Sequence, residues 1–316
     1  MNHSEPLVAV VGAGLMGVGI ATCLALEGRQ VKLFDSDPAR RRDAPRLVQD
    51  ILEEIGASGR EVDVATVQAH VAVCDSLSDL ADAQIVYEAV VEKLAVKHTV
   101  YAQLEAVVSS DAVIASNTSG LLPDALCANM LHPGRFLVAH FWNPPYVIPL
   151  VELVPATATD GAIPLRIQQD LQQAGFEPIV LRTAVPGFIG NRIQFAVFRE
   201  ALHLVNSGVA DAATVDAVIK SCLGRRYGKF GPLEVADLGG LDTFLDIATH
   251  LMPQLAKDES ALALLRNQID QGNTGIDSGQ GFYQWDDQRK LEAKLSRRAM
   301  LADNSAGSAK PARELP

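Results

Sequence analysis

Leu7-Val-Ala-Val-Val-Gly-Ala-Gly-Leu-Met-Gly17 decides the fold of this chain. The apolar run Leu7–Val11 reads as a short buried strand, a glycine turn follows at once, and Met16–Leu26 has the pattern of a helix. In such a unit the first glycine permits a tight turn, the second lets backbone approach a pyrophosphate, and the third permits close helix packing. The helix N-terminus adds unpaired N–H groups and a partial positive charge. Gly12, Gly14, Leu15, Met16 and Gly17 are therefore candidate dinucleotide contacts. A second apolar run, Val31–Phe34, ends on Asp35, 18 residues after Gly17. A carboxylate there can accept both hydroxyls of an adenosine ribose and repels a 2′-phosphate, which predicts NAD. Arg40, Arg41 and Arg42 leave NADP open as a second option. FAD uses the same fingerprint, but NAD fits an N-terminal unit in a chain of this length better.

Outward from that unit, short β-type runs alternate with helical stretches. The strands expected are Leu7–Val11, Val31–Phe34, Val71–Val73, Ile85–Tyr87, Ala112–Ala115, Phe136–Ala139 and Ile179–Leu181, with helices such as Pro38–Ile55 and Leu94–Val108 between them. This order predicts an α/β fold, a Rossmann-type doubly wound and mostly parallel sheet. After Pro186-Gly187 the β-branched runs cease, and the pattern predicts helices over about 187–206, 211–222, 239–256, 258–270 and 286–301. The first of these is apolar on two faces, Ile189, Ile193, Ala196, Val197 and Leu204 on one and Phe195, Phe198, Leu202 and Val205 on the other. That pattern predicts a helix buried on both sides at the centre of an all-helical C-terminal domain. The expected division is 1–185 for the NAD-binding domain, 186–302 for a helical substrate and dimerisation domain, and 303–316 for a disordered tail rich in Ala, Ser, Gly and Pro.

The 316 residues, 48% of them hydrophobic, suffice for two cores. With 27 basic against 38 acidic side chains the net charge is −11, which argues against nucleic acid and anionic lipid as partners. No apolar stretch approaches the roughly 20 residues of a membrane span. Met1–Pro6 has no Lys or Arg and the apolar run breaks at Gly12, so no signal peptide is expected and the chain reads as cytoplasmic. Cys23, Cys74, Cys127 and Cys222 are far apart, as expected of reduced thiols, and no metal site is expected.

Among the seven histidines, His140 stands out because it follows the run Phe136–Ala139, at the strand edge where ligands bind in open α/β sheets. Phe141-Trp-Asn-Pro-Pro145 then forms a rigid turn, and Glu152 comes twelve residues after the histidine. An acid returning across that reversal can hold the imidazole tautomer of a general base. Spacing alone favours a purely structural pair over a catalytic one.

Taken together, Gly12–Gly17, Glu88-Ala-Val-Val-Glu92, Ser116-Asn-Thr-Ser119, His140-Phe-Trp-Asn-Pro144, Pro186-Gly-Phe-Ile-Gly-Asn-Arg192, Gly231-Pro-Leu-Glu-Val-Ala-Asp237 and Ser278-Gly-Gln-Gly-Phe-Tyr283 resemble the 3-hydroxyacyl-CoA dehydrogenase family over about residues 7–285. The resemblance implies an NAD-dependent oxidoreductase of fatty acid metabolism that interconverts a 3-hydroxyacyl-CoA and its 3-keto form. By it, His140 is the base and Glu152 its orienting carboxylate. Ser119 and Asn191 are polar contacts around the reacting oxygen and nicotinamide. Glu92, Lys97, Asn117 and Asn143 are cofactor contacts, and the protein is a homodimer. Asn191 stands where the 6-phosphogluconate-type relatives carry a lysine base, which sets that group aside.

The substrate is read less directly. In the acyl-CoA members a helical extension after the second strand carries serine and lysine contacts to CoA, whereas no lysine occurs here from Ser36 to Glu92. The double proline after Asn143 is more like the relatives that act on free acids: the lambda-crystallin/L-gulonate 3-dehydrogenases, L-carnitine dehydrogenase and a pyridine-carboxylate dehydrogenase. Arg225 and Arg226, just before the Gly231 motif, are candidate contacts for an anionic substrate, either a carboxylate or a CoA phosphate. Three functions follow: a 3-hydroxyacyl-CoA dehydrogenase, the same chemistry on a free hydroxy acid or carboxylated alcohol, and a non-catalytic crystallin-like NAD-binding protein.

Overall fold

The computed structural model describes residues 6–257, 259 and 261–307, with side chains to residue 302. The first unit runs to Ile189 and takes up the chain again from Ala293; the second is Gly190–Glu292. In the first unit the expected order appears as β1 (Val8–Val11), α1 (Leu15–Leu26), β2 (Val31–Phe34), α2 (Pro38–Gly56), α3 (Val64–Ala69), β3 (Val71–Val73), β4 (Ile85–Glu88), α4 (Leu94–Glu105), β5 (Val113–Ser116), α5 (Pro123–Cys127), β6 (Phe136–Phe141), β7 (Leu150–Pro155), α6 (Ala162–Gln173) and β8 (Glu177–Val180). The eight strands form one sheet in the order β3-β2-β1-β4-β5-β6-β7-β8. Every neighbouring pair is parallel except β6–β7.

The reasons are local. All residues of β1, β4, β5 and β6 are buried, as continuous apolar runs must be when helices cover both faces of a parallel sheet. In α1 every residue from Gly17 to Ala25 is buried, so a helix this apolar lies within the core. By contrast α2 buries a single stripe, Ala44, Val48, Leu52 and Ile55, and starts on Asp37, whose carboxylate accepts the N–H of Ala39.

Three expectations need correction. β7 was not foreseen: Pro149 precedes it and Pro155 ends it, and such a proline-flanked run reads as a turn until its place between β6 and β8 is known. The C-terminal helix does not stop before a tail at 303 but continues as Asp287–Gly307, and from Ala293 it packs with the first unit, where Arg297 meets Glu54 of α2. The rest of the expected tail, 308–316, lies outside the described residues. Third, the helix Gly190–Asn206 is not covered on both faces within its own unit. Ile193, Phe195 and Val197 are 57%, 59% and 39% exposed, and Leu202 is its buried residue.

The second unit is helical, as expected: α7 (Gly190–Asn206), α8 (Ala212–Ile219), a π-helical turn (Lys220–Gly224), α9 (Arg225–Tyr227), α10 (Pro232–Gly239), α11 (Leu241–Leu251), α12 (Leu262–Asp270) and the start of α13 (Asp287–Gly307). Within it Glu200 accepts the N–H of Ala256, and Tyr283 donates its phenol to Asp216.

Candidate active site

Because β2, β1, β4, β5 and β6 are parallel neighbours, Asp35, Gly12, Glu92, Ser119 and His140 all come from the carboxyl ends of consecutive strands. At about 4.8 Å per strand that edge spans about 19 Å, long enough for an extended dinucleotide.

The nucleotide end is built by glycines. Gly12 adopts φ 106°, and a Cβ on it would lie 2.6 Å from the Ala89 carbonyl oxygen. On Gly17 a Cβ would fall 1.7 Å from the Gly12 carbonyl oxygen. Around Gly14 the situation is reversed, since a Cβ would meet only Arg40 Nη1, at 3.7 Å. Space is thus kept open over the backbone at the start of α1, where the N–H groups of Leu15, Met16 and Gly17 have no earlier turn to bond. Asp35 is buried; Oδ2 accepts the Ala13 N–H at 2.7 Å and Oδ1 the Asp37 N–H at 2.8 Å. Each oxygen keeps a second lone pair for a ribose hydroxyl. Arg40 Nη1 lies 3.8 Å from Asp35 Oδ2, whereas Arg41 turns back to the Asp35 carbonyl. A cleft of about 270 Å³ opens here, lined by Gly12, Phe34, Asp35, Arg40, Val91 and Val96 among others. An open cradle at Gly14 and a two-oxygen acceptor at Asp35 are what a dinucleotide requires, so these residues fit NAD.

Below the next stretch lies a buried polar cluster. Glu88 and Lys97 are both fully buried, with Nζ 2.7 Å from Glu88 Oε1. Glu88 Oε2 accepts the Tyr101 phenol at 2.6 Å and the Ser116 hydroxyl at 2.7 Å. Burial and the Glu88 carboxylate hold the Tyr101 phenol far above its usual range, so it stays a donor. Glu92 is 45% exposed, 3.5 Å from Lys97 Nζ, and accepts from the Thr118 hydroxyl and from the Ser119 N–H at 3.1 Å. The ammonium of Lys97 therefore sits between carboxylates, and Glu92 ties the loop after β4 to the one that carries Ser119. Asn117 spends its Oδ1 on the Phe141 N–H at 3.1 Å, pinning β5 to β6 beside His140.

His140 lies within β6, one residue before its end, and in the antiparallel register it directly faces Glu152 of β7. Both are buried, and Nδ1 is 2.8 Å from Glu152 Oε2. The other carboxylate oxygen accepts the Ile189 N–H at 2.9 Å. That N–H is delivered by a turn in which Gly187 and Phe188 have φ 77° and 50°. Phe188 is buried and, with Trp142, flanks the imidazole at 5.5 Å between ring centres. A bulky residue in the left-handed region is uncommon and is retained only where packing imposes it. Asn143 follows, itself exposed, joined to Pro144 by a cis peptide bond. Asn191, Arg225 and Arg226 belong to the second unit; the first is in the opening turn of α7, and both arginines are exposed on α9.

Sequence reasoning did not find the roles of Glu88, Tyr101, Ser116, Thr118 and Phe188. The quoted motifs contain all of them except Tyr101, yet their partners come from different strands, so local spacing carries no signal. Among the described residues no group of acids, histidines and cysteines is arranged to hold a metal, and no helix is long and apolar enough to cross a membrane.

Fold and glycine turn define a dinucleotide-binding dehydrogenase. Comparison with known proteins narrows the class: residues 7–184 match the family model "3-hydroxyacyl-CoA dehydrogenase, NAD binding domain" and residues 187–285 match "3-hydroxyacyl-CoA dehydrogenase, C-terminal domain". The chain belongs to the 3-hydroxyacyl-CoA dehydrogenase family and is an NAD-dependent oxidoreductase. It is 34% identical to 3-hydroxybutyryl-CoA dehydrogenase of Mycobacterium tuberculosis, over 90% of this chain and 99% of that one. It is 29% identical to 5-formyl-3-hydroxy-2-methylpyridine 4-carboxylate 5-dehydrogenase of Mesorhizobium japonicum, over 92% and 95% of the two chains. A solved structure of a dehydrogenase of that name, described as an NAD⁺-dependent dismutase, superposes with a TM-score of 0.88 at 27% identity, covering 98% of this chain and all of its own. For M. tuberculosis FadB2 the TM-score is 0.75 at 33% identity, over 90% of this chain and all of that one.

Proposed function

We propose that this enzyme interconverts a hydroxyl and a carbonyl group on a free carboxylic acid, without CoA. One observation carries the choice: the segment after β2 is net acidic and four of its five arginines face carboxylates. Between Ser36 and Asp75 there are eight Asp and Glu against five Arg. Arg40 faces Asp35, Arg41 faces Asp75, Arg46 faces Asp50 and Arg60 faces Glu27, at 2.7 to 3.8 Å. A polyanionic CoA tail would have to displace these acids. The 0.88 superposition on a dehydrogenase named for a pyridine carboxylate supports the same reading.

Bound NAD supplies the hydride acceptor. In the reading proposed, Glu152 accepts the Nδ1–H of His140 and so leaves Nε2 with the lone pair that takes the hydroxyl proton. The Ile189 N–H keeps the carboxylate turned toward the imidazole, and Phe188 and Trp142 exclude water from its faces. Ser119 and Asn191 hydrogen-bond the reacting oxygen and the nicotinamide side. Gly12, Gly14, Leu15, Met16, Gly17 and Asp35 hold the adenosine and pyrophosphate half, and Glu92, Asn117 and Asn143 serve the nicotinamide half, with the buried Lys97 acting through Glu92. Arg225 and Arg226 pair with the substrate carboxylate. The exposed Ile193, Phe195 and Val197 of α7 support a homodimer covering that helix, to be checked by mass in solution.

The second reading, a 3-hydroxyacyl-CoA substrate, draws on the 34% identity to 3-hydroxybutyryl-CoA dehydrogenase. NADH oxidation with acetoacetyl-CoA and with a panel of free 3-keto acids separates the two. We expect kcat/KM for the best free acid to exceed that for the thioester by at least about tenfold, since a site that pairs a carboxylate discriminates strongly against ligands lacking it. The opposite ranking would return the enzyme to the acyl-CoA class, and no turnover of either kind would favour the non-catalytic crystallin-like reading.

A further inference from the structure

The loop that joins β6 to β7, residues 142–149, connects His140 to Glu152, and it is seated at two points. Pro145 is buried against α1, where Gly19 lacks a side chain; a Cβ there would lie 2.7 Å from Pro145 Cγ. The next residue, Tyr146, donates its phenol to Glu54 Oε2 of α2 at 3.1 Å. The other oxygen of Glu54 is 2.7 Å from Arg297 Nε on α13, and the carboxylate is only 14% exposed. Burial and the Glu54 carboxylate push the Tyr146 phenol up to about 12, so it remains a donor at neutral pH. Inside the loop the N–H groups of Val147 and Ile148 both reach the Pro144 carbonyl at 3.0 Å, which ties the segment into one body. The helix that supplies Arg297 lies beyond residue 285, where the match to the family's C-terminal domain ends.

We propose that Arg297, Glu54 and Tyr146 are positioning residues: through Arg297 on Glu54, the C-terminal helix holds Tyr146 and with it the loop that carries Asn143 and sets His140 against Glu152. None of the three needs to touch the reacting atoms. A proton acceptor misplaced by about 1 Å loses up to about 100-fold in rate, so a brace on the strand connection acts on turnover more than on cofactor binding. Glu54 is the hinge of the arrangement, since one of its oxygens accepts the phenol of the loop and the other is ion-paired with the guanidinium of the helix. Loss of either partner leaves the other held by a group free to rotate.

The test uses the full chain with Arg297→Ala, Arg297→Lys, Glu54→Gln and Tyr146→Phe. Amide exchange over 142–149, NADH titration, and kcat and KM with the best substrate of the panel are measured on each. We expect exchange at Val147 and Ile148 to rise at least about tenfold in Arg297→Ala and Glu54→Gln, as local opening of the loop becomes easier. In the same variants kcat falls by more than NADH affinity does, Arg297→Lys recovers most of the loss, and the Glu54→Gln/Arg297→Ala pair is no worse than Glu54→Gln alone. Tyr146→Phe keeps the ring and the fold, so it reports on the hydrogen bond if a charge variant fails to fold. Parent-like exchange and parent-like kcat in folded Arg297→Ala and Tyr146→Phe would overturn the proposal. Protection lost evenly across the first unit would do the same, because it would make the helix a general support. The exchange arm needs no substrate, so it reads out even if the free-acid reading fails.

Discussion

His140 and Glu152 are opposed residues of an antiparallel pair, with Nδ1 of the imidazole 2.8 Å from Oε2 of the carboxylate. A carboxylate accepts only, so Nδ1 carries the proton of this contact, and in a neutral imidazole the lone pair would fall on Nε2. His140→Gln removes that acceptor and leaves the nucleotide end of the sheet untouched. We expect NADH affinity to be retained and kcat to fall at least about 100-fold. Titration of NADH fluorescence beside steady-state rates checks both halves, and turnover near the parent's would remove His140 from the chemistry.

Glu152→Gln tests orientation rather than charge alone. A glutamine can still accept the Ile189 N–H through its oxygen, but its NH₂ then faces Nδ1 and donates to it. The imidazole must shift its proton to Nε2, the nitrogen that has to accept. We expect kcat to drop by about 100-fold or more, with the melting temperature close to the parent's because the hydrogen bonds are exchanged rather than lost. A proton-detected spectrum of the imidazole nitrogens would show whether the tautomer has inverted.

The two helix-side glycines of the turn should separate cleanly. A Cβ on Gly17 would lie 1.7 Å from the Gly12 carbonyl oxygen, so Gly17→Ala must displace backbone and is expected to melt markedly lower. On Gly14 it would meet nothing nearer than Arg40 Nη1 at 3.7 Å. Gly14→Ala should therefore fold normally yet bind NADH at least about tenfold more weakly, because the methyl fills the space that backbone and pyrophosphate share. Equal NADH affinity in folded Gly14→Ala would place the cofactor elsewhere.

Lys97→Met leaves Glu88 buried without its cation. Since both groups are fully buried, we expect a loss of about 3–5 kcal/mol in unfolding free energy by denaturant titration. Glu92→Gln, at a half-exposed carboxylate, should cost little stability and act instead on NADH affinity. A Lys97→Met protein as stable as the parent would mean that Glu88 takes up a proton when unpaired.

The sheet was legible because its strands are uninterrupted apolar runs such as Val8–Val11 and Val113–Ser116, each closed by a turn signal. β7 was not, since Pro149 and Pro155 give Leu150–Val154 the punctuation of a loop and only its place beside β6 makes it a strand. Gly12, Asp35, His140 and Glu152 announce themselves through residue type at fixed offsets. Tyr101 and Ser116 converge on Glu88 from α4 and β5, a meeting that no periodicity encodes. The same limit applies to α7: its two apolar faces state that something covers them, not that the chain itself does.

Arg225 and Arg226 stand on α9, directly after the π-helical turn Lys220–Gly224, and Arg226 donates to Cys222 Sγ at 3.0 Å. Both are exposed, so replacing them should leave the melting temperature unchanged. If they hold a substrate carboxylate, Arg225→Ala and Arg226→Ala lose a charge-assisted hydrogen bond worth about 1.5–3 kcal/mol, which raises KM by about 10- to 100-fold with a smaller change in kcat. Lysine at the same positions keeps the charge but loses the planar fork. Partial recovery in Arg→Lys therefore distinguishes a bidentate contact from simple attraction. Parent-like KM in both alanine variants would assign the pair to the surface and move the search for the carboxylate's partner to Asn143 and the loop that carries it.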